Sequence, residues 1–336
     1  MGAEDQTLKP IEFLPEGKKL AISIISIYGV DISFQSLYTI SSKSSHEVTP
    51  MNLRFVKDIL GKPYYETPSC LIYNVDCLSA MRLLEKPFIH LTVTSPPYNI
   101  GKEYEQVRPV EDYIEWCTQW INEIYHLTTT SGAFILNLGY LEVPGCAKAL
   151  PIPYLLWNRI PFYMIQEIVW HYGAGIASRK MLSPRNEKFL WYVKNPANYV
   201  FNLDDIRDKD VKYPNQKKNG KLKCNQLGKN PSDVWIFPKV TSGANRSPEE
   251  RTEHPAQFPE SVVDRFIKGM SNENQIVFDP FLGSGTTAVS ALRNGRRVLG
   301  FELNERYCKI AARRIDAFMR ESSVVEPSLF DATQWM

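Results

Sequence analysis

Apolar and polar positions change period several times along the chain, and each change marks an element. NLRFVKDIL, just after Thr49 and Pro50, carries its apolar residues at helical spacing. CLIYNVD is a short β-rich run ending in Asp76, and LSAMRLLEK reads as a short helix. IHLTVTSPPY is a buried strand running into a proline-punctuated loop. EDYIEWCTQWINEIYHLTT is amphipathic at the helical period, with Trp116 and Trp120 on its core side. GAFILNLG reads as a further buried strand, and FYMIQEIVWHY and KFLWYVKN are β-branched and aromatic runs. Trp170, His171 and Tyr172 in the first of these are expected to pack against a neighbouring helix. Nearer the C-terminus QIVFDP predicts a strand, FLGSG a tight loop and TTAVSALRNG a helix stopped by glycine. RRVLGFELN then predicts a strand and ERYCKIAARRIDAFMRE a long helix. Strands alternating with helices imply an α/β fold with a parallel, doubly wound sheet.

Two stretches break this rhythm. Residues 1–50 hold an apolar run and a Ser-rich connector, and they read as an N-terminal extension or a small helical module. Residues 195–253 are polar and rich in Asn, Gly and Pro. From 212 to 246 this second stretch carries Lys212, Lys217, Lys218, Lys221, Lys223, Lys229, Lys239 and Arg246 against the single acid Asp233. With Tyr213, Trp235 and Phe237 interleaved, it suits phosphate contacts and base-edge reading. Arg179 and Lys180, in GIASRKMLSPRNEKF, are further phosphate-gripping candidates.

The 43% apolar content is enough for a sizeable core. A net charge of +2 does not by itself announce a polyanion ligand, so the local asymmetry carries that inference. None of the six cysteines forms a CxxC pair or stands at a zinc-ligand spacing from a histidine, which predicts reduced thiols in a cytoplasmic protein and no metal. No run is apolar enough to span a bilayer, and the start lacks a signal-peptide layout.

Two constellations carry chemistry. In FDPFLGSGTTA, Gly283 and Gly285 let the backbone turn sharply and approach a ligand, and the helix after Thr286 aims its N–H groups at the loop. There is no GKS or GKT for a triphosphate and no full GxGxxG. Asp279, at the strand end, instead suits a ligand with an ammonium, as in the methionine part of S-adenosylmethionine. Glu302 ends the next strand, where an acid accepts ribose hydroxyls. The second constellation is TSPPYN, after a buried strand. A base amine is a poor nucleophile because its lone pair is delocalised into the ring. The Ser95 hydroxyl and the Pro96 carbonyl could accept its hydrogens and hold the nitrogen nearer tetrahedral. Pro96 and Pro97 fix φ and offer no N–H, and Tyr98 supplies a face on which an extruded base can stack.

TSPPYN, DPFLGSGTTA, FELN and EHPAQFP, in this order, resemble the β class of amino-methyltransferases from bacterial restriction–modification systems over about 70–320. The resemblance implies a Rossmann-like, S-adenosylmethionine-dependent methyltransferase fold with an inserted target-recognition region. The catalytic half would lie in 51–194, the recognition region in 195–253 and the cofactor half in 254–325. It implies a catalytic loop of Ser95, Pro96, Pro97 and Tyr98. Cofactor contacts would come from Asp279, Pro280, Phe281, Gly283, Ser284, Gly285 and Thr286, with Glu302 on the ribose and Asp76 on the adenine side. His254, with Pro255 and Phe258, would precede the helix closing the cofactor pocket. Ser95, where the adenine-N6 enzymes typically carry Asp, favours cytosine N4 as target and leaves adenine N6 as the alternative. The implied partner is double-stranded DNA, bound by a monomer or homodimer in a bacterial or archaeal cytoplasm, with a cognate endonuclease acting on the same site. A rival from another class is a non-enzymatic DNA-binding regulator that keeps this fold.

Overall fold

The structure is a computed structural model that describes residues 53–103, 105–173, 177, 179–240 and 249–324. The N-terminal extension expected over 1–50 lies outside the described residues, as does Arg246.

The described chain opens with α1 (Arg54–Leu60), whose Val56 is buried, and a short β1 (Tyr65–Thr67) that pairs antiparallel with β2 (Cys70–Asn74). Asp76 ends this segment and caps α2 (Cys77–Met81), its Oδ1 accepting from the Ser79 backbone N–H. β3 (Ile89–Thr94) is buried along its length and delivers the SPPY loop. α3 (Val110–Leu127) buries Tyr113, Cys117, Trp120, Ile121, Ile124 and Leu127, one stripe at the helical period.

β4 (Thr128–Leu138) follows without a loop, then the hairpin β5 (Tyr140–Val143) and β6 (Ala147–Pro151), then α4 (Ile152–Leu156). β7 (Tyr163–His171) and β8 (Asn186–Val193) come next. A 3-10 turn at Leu203–Ile206 leads to the two-stranded ribbon β9 (Lys217–Lys218) and β10 (Lys221–Leu222), and then to β11 (Val234–Ile236). The chain finishes with α5 (Glu260–Met270), β12 (Ile276–Asp279), α6 (Thr286–Arg293), β13 (Arg297–Glu302) and α7 (Glu305–Val324). Gly295, at φ 71°, follows α6 as its stop.

Nine strands form one sheet in the order β1-β2-β13-β12-β3-β4-β8-β7-β11. From β2 to β4 every pairing is parallel, as the alternation predicts. β8 pairs antiparallel with both β4 and β7, a departure from the wholly parallel expectation. Alternate side chains feed two apolar layers. Phe134, Leu136 and Leu138 of β4 join Trp120 and the α3 side, while Ala133 and Ile135 join Phe266 and the layer under α5, α6 and α7. The central strands are therefore buried on both faces, which is why they read as continuous apolar runs.

The inserted segment is less separate than its polarity suggests. Ile206 packs on α5, where a Cβ on Gly269 would lie 3.1 Å from it. β11 extends the main sheet, parallel to β7. Trp235 and Phe237, expected among the base readers, serve this junction instead: the Trp235 ring lies 4.7 Å from Phe266, and Phe237 accepts a hydrogen bond from Trp170 Nε1. Trp170 packs on Phe189 and Tyr172, within the apolar layer that also holds Phe266 of α5.

Candidate active site

The parallel register sets β12 between β3 and β13, so the ends of all three strands open on one edge of the sheet. Asp279 ends β12 and is only 2% exposed. Its Oδ1 accepts from Thr94 Oγ1 at 2.6 Å and from the Phe281 N–H, and its Oδ2 accepts from Thr287 Oγ1 at 2.7 Å. A carboxylate offers about four lone-pair sites, so one remains, on Oδ2. Burial pushes the Asp279 carboxyl up to about 6 despite these three donors, and the nearby Glu302 charge adds to the push.

Glu302 ends β13 and closes the glycine loop from the other side. Its Oε2 accepts from the Gly283 N–H and its Oε1 from the Asn304 N–H, both at 2.8 Å. Burial raises this carboxyl too. Asp76 sits at the end of the adjacent strand, where the Val75 N–H donates to the Glu302 carbonyl, and its cap on α2 uses only one of its oxygens. Two desolvated carboxylates facing one glycine loop make a place where a cationic, hydroxyl-bearing ligand would relieve strain in the electrostatics.

The loop's glycines are needed for protein packing as well as turning. Gly283 (φ 52°) has the His254 ring where its Cβ would be, with Nε2 at 2.9 Å. Gly285 (φ 81°) lies against α7, its missing Cβ 2.8 Å from Ala311 Cβ. Gly285 therefore serves helix packing as well as the turn. Ser284 and Thr286 are also turned to protein. Arg314 Nη1 donates to the Ser284 carbonyl at 2.9 Å and to Thr286 Oγ1 at 3.0 Å, while Nη2 holds Glu260 Oε1. Pro280 is buried, and the Phe281 ring packs against Trp116 and Trp120 rather than pointing freely into the site. His254 lies against Tyr307, its Nδ1 accepting from the Ala256 N–H, and burial lowers its pKa to about 4. It is a neutral ring at physiological pH.

The SPPY loop leaves β3 directly after Thr94. Ser95 Oγ and Tyr98 Oη are 3.0 Å apart, and both reach Asn137 Oδ1, at 3.1 Å and 2.7 Å. Tyr113 Oη donates to the Pro97 carbonyl at 2.9 Å, so it is the Pro96 carbonyl that stays available among the described residues. Tyr98 lies over Gly139, whose added Cβ would meet the ring at 2.8 Å. Asn99, at φ 62°, turns the chain, with the Glu105 carboxylate accepting from the Asn99, Ile100 and Lys102 N–H groups. Asn137 and Arg314 are not among the sequence candidates, and Thr94 is there only as the first residue of TSPPYN. The one available signal was a lone amide inside the apolar run GAFILNLG.

The basic candidates fall into separate groups. Lys217, Lys218, Lys221 and Lys223 gather on the exposed β9–β10 ribbon, closed by Asn219 and Gly220 at φ 52° and 76°, the two-residue turn with both central φ positive. Lys229 is exposed in a bridge to Asp208, and Arg179 and Lys180 are exposed in the β7–β8 connection.

A family model described as DNA methylase matches residues 89–313. The Type II methyltransferase M.ScaI of Streptomyces caespitosus is 60% identical over 262 residues, 78% of this chain and 86% of that protein. M.BglII of Bacillus subtilis is 36% identical over 71% of this chain and 67% of its own. Among solved structures, the cytosine-N4-specific PvuII DNA methyltransferase shares the fold at a TM-score of 0.59, with 18% identity over 77% of this chain and 94% of the other. The site just described, with its two strand-end acids and the SPPY loop beside Asp279, lies within the matched span, and the chain belongs to the N6/N4 family of DNA methylases.

Proposed function

We propose that the protein transfers a methyl group from S-adenosylmethionine to the N4 amine of cytosine in duplex DNA, as the modification half of a type II restriction–modification system. The observation that carries this reading is the pairing of Ser95 and Tyr98 on Asn137, one residue from the Thr94 that holds Asp279. It sets an amine-accepting loop beside a strand-end acid. The names of the relatives support the type II setting, and the serine of SPPY supports cytosine over adenine.

The residues present fit S-adenosylmethionine. Asp279 keeps one acceptor for an ammonium, Glu302 borders the glycine loop and would take the ribose hydroxyls, and Asp76, at the end of the adjacent strand, would take the adenine side. When bound, that cofactor supplies an electrophilic methyl on a sulfonium, so the chain needs mainly to position and orient. Ser95 Oγ and the Pro96 carbonyl accept the two amine hydrogens and raise the nitrogen's nucleophilicity. The Tyr98 ring, propped by Gly139, gives the extruded base a stacking face. The β9–β10 lysines neutralise backbone phosphates, and Arg179, Lys180 and Lys229 extend that field.

Nucleoside mass spectrometry of duplex DNA treated with the purified protein and S-adenosylmethionine tests the reading. N4-methylcytosine is the expected product. N6-methyladenine would overturn the base assignment, and the absence of any methylated base on DNA of varied sequence would overturn the activity.

A further inference from the structure

Asn137 lies on β4 with only 1% of its surface exposed, paired with Phe189 of β8 and set in the apolar run from Ala133 to Leu138. A buried amide costs free energy unless it is satisfied, and this one is satisfied in a directional way. Its Nδ2 donates to the Lys188 carbonyl at 3.0 Å. A carbonyl can only accept, so this bond fixes which end of the amide is nitrogen. Oδ1 is thereby turned to the SPPY loop, where it takes Tyr98 Oη at 2.7 Å and faces Ser95 Oγ at 3.1 Å.

The consequence concerns lone pairs. Ser95 Oγ and Tyr98 Oη are themselves 3.0 Å apart. Were Asn137 Oδ1 absent, the phenol would donate to Ser95 Oγ and occupy a lone pair. With Oδ1 present, the tyrosine proton goes to the amide, and the serine proton goes to the amide or to the phenol oxygen. Both lone pairs of Ser95 Oγ then remain for an external N–H donor. We propose that Asn137 is a positioning residue that draws the Tyr98 proton away from Ser95 and so keeps Ser95 an acceptor for the target amine. It touches no substrate itself, and the inference rests on the proposed role of Ser95.

Four variants test it: Ser95→Ala, Asn137→Leu, Asn137→Leu with Tyr98→Phe, and Asn137→Leu with Ser95→Ala. Each is assayed for kcat and for S-adenosylmethionine affinity by titration calorimetry. Asn137→Leu is expected to lower kcat on the order of 10²-fold with cofactor affinity unchanged. Adding Tyr98→Phe removes the competing donor and is expected to restore about tenfold or more, and adding Ser95→Ala is expected to cost little further, because residues acting as a unit are non-additive. A structural role for Asn137 gives neither the rescue nor the non-additivity, and either failure overturns the inference, as does wild-type turnover in Asn137→Leu. If Ser95→Ala itself leaves kcat intact, the catalytic-loop reading falls first and this inference with it. Should the leucine variant not fold, Asn137→Asp keeps the acceptor. It is expected to turn over at neutral pH with a new acid limb in kcat, and a profile without that limb overturns the inference.

Discussion

Thr94 Oγ1 donates to Asp279 Oδ1 at 2.6 Å, joining residues 185 apart in the chain. Thr94 is the last residue of β3, and Asp279 is the last of β12, its parallel neighbour. One hydrogen bond therefore ties the start of the SPPY loop to the acid at the mouth of the glycine loop. Any displacement of one strand end moves both halves of the site.

Thr94→Val keeps the shape and removes the donor. A hydrogen bond to a charged group contributes about 1.5–3 kcal/mol, and that is the expected loss of stability in urea unfolding. Cofactor affinity and turnover should fall together, because the bond serves both loops. Thr94→Ser should restore most of each.

Asp279 and His254 push the acid response of the fold in opposite directions. Asp279 titrates at about 6 rather than 3.8. Between those values the folded chain holds a proton that the unfolded chain releases, so Asp279 opposes folding above pH 6 and ceases to do so as pH falls below 3.8. His254 titrates at about 4 rather than 6.5. Its contribution is complete above pH 6.5 and is lost as pH falls through 4. Each shift corresponds to roughly 3 kcal/mol at its limit, so the two nearly cancel in the wild type. In urea unfolding between pH 4 and 7.5, His254→Gln should flatten the acid loss, and Asp279→Asn should steepen it while raising stability at pH 7 without ligand. Parallel curves for all three proteins would refute the assignment.

Gly285→Ala and Gly145→Ala form a matched pair. Both positions have a left-handed φ, 81° and 72°, but a Cβ at 285 meets Ala311 at 2.8 Å while one at 145 meets nothing within 4 Å. The left-handed conformation costs about 1–2 kcal/mol for a residue with a Cβ, and overpacking adds roughly 1–3 kcal/mol. Thermal unfolding should show the larger loss for Gly285→Ala alone, with or without cofactor.

Replacing Lys217, Lys218, Lys221 and Lys223 by Gln should weaken DNA binding and leave cofactor affinity unchanged. Each phosphate contact adds about 0.9 to the slope of log affinity against log salt. A drop of about 3.6 in that slope is expected from fluorescence anisotropy at roughly 50–300 mM salt. An unchanged slope would place the DNA elsewhere.

The strands that carry the site were legible because burial on both faces writes each as an apolar run, and β3, β12 and β13 end at Thr94, Asp279 and Glu302 where the pattern predicts. Direction was not legible. An apolar run is the same read either way, so the antiparallel β8 looks like its parallel neighbours. Trp235 was misread because a three-residue strand is swamped by the polar window around it. Arg314 is one of several charges on α7, and only the tertiary structure turns it, rather than a neighbour, onto Ser284 and Thr286.

The strand order also governs when the site can exist. β12 and β13 follow β11 in the chain, yet they stand between β2 and β3, which precede it. A nascent chain that has emerged only through β11 therefore has two sheet fragments, each with an unsatisfied inner edge and nothing to pair with. Such edges invite pairing with other chains. The sheet closes only once β12 and β13 are available, and only then do Asp279 and Glu302 meet the SPPY loop. A chain truncated before β12 would carry two open strand edges and neither strand-end acid, an aggregation hazard rather than a partly active enzyme.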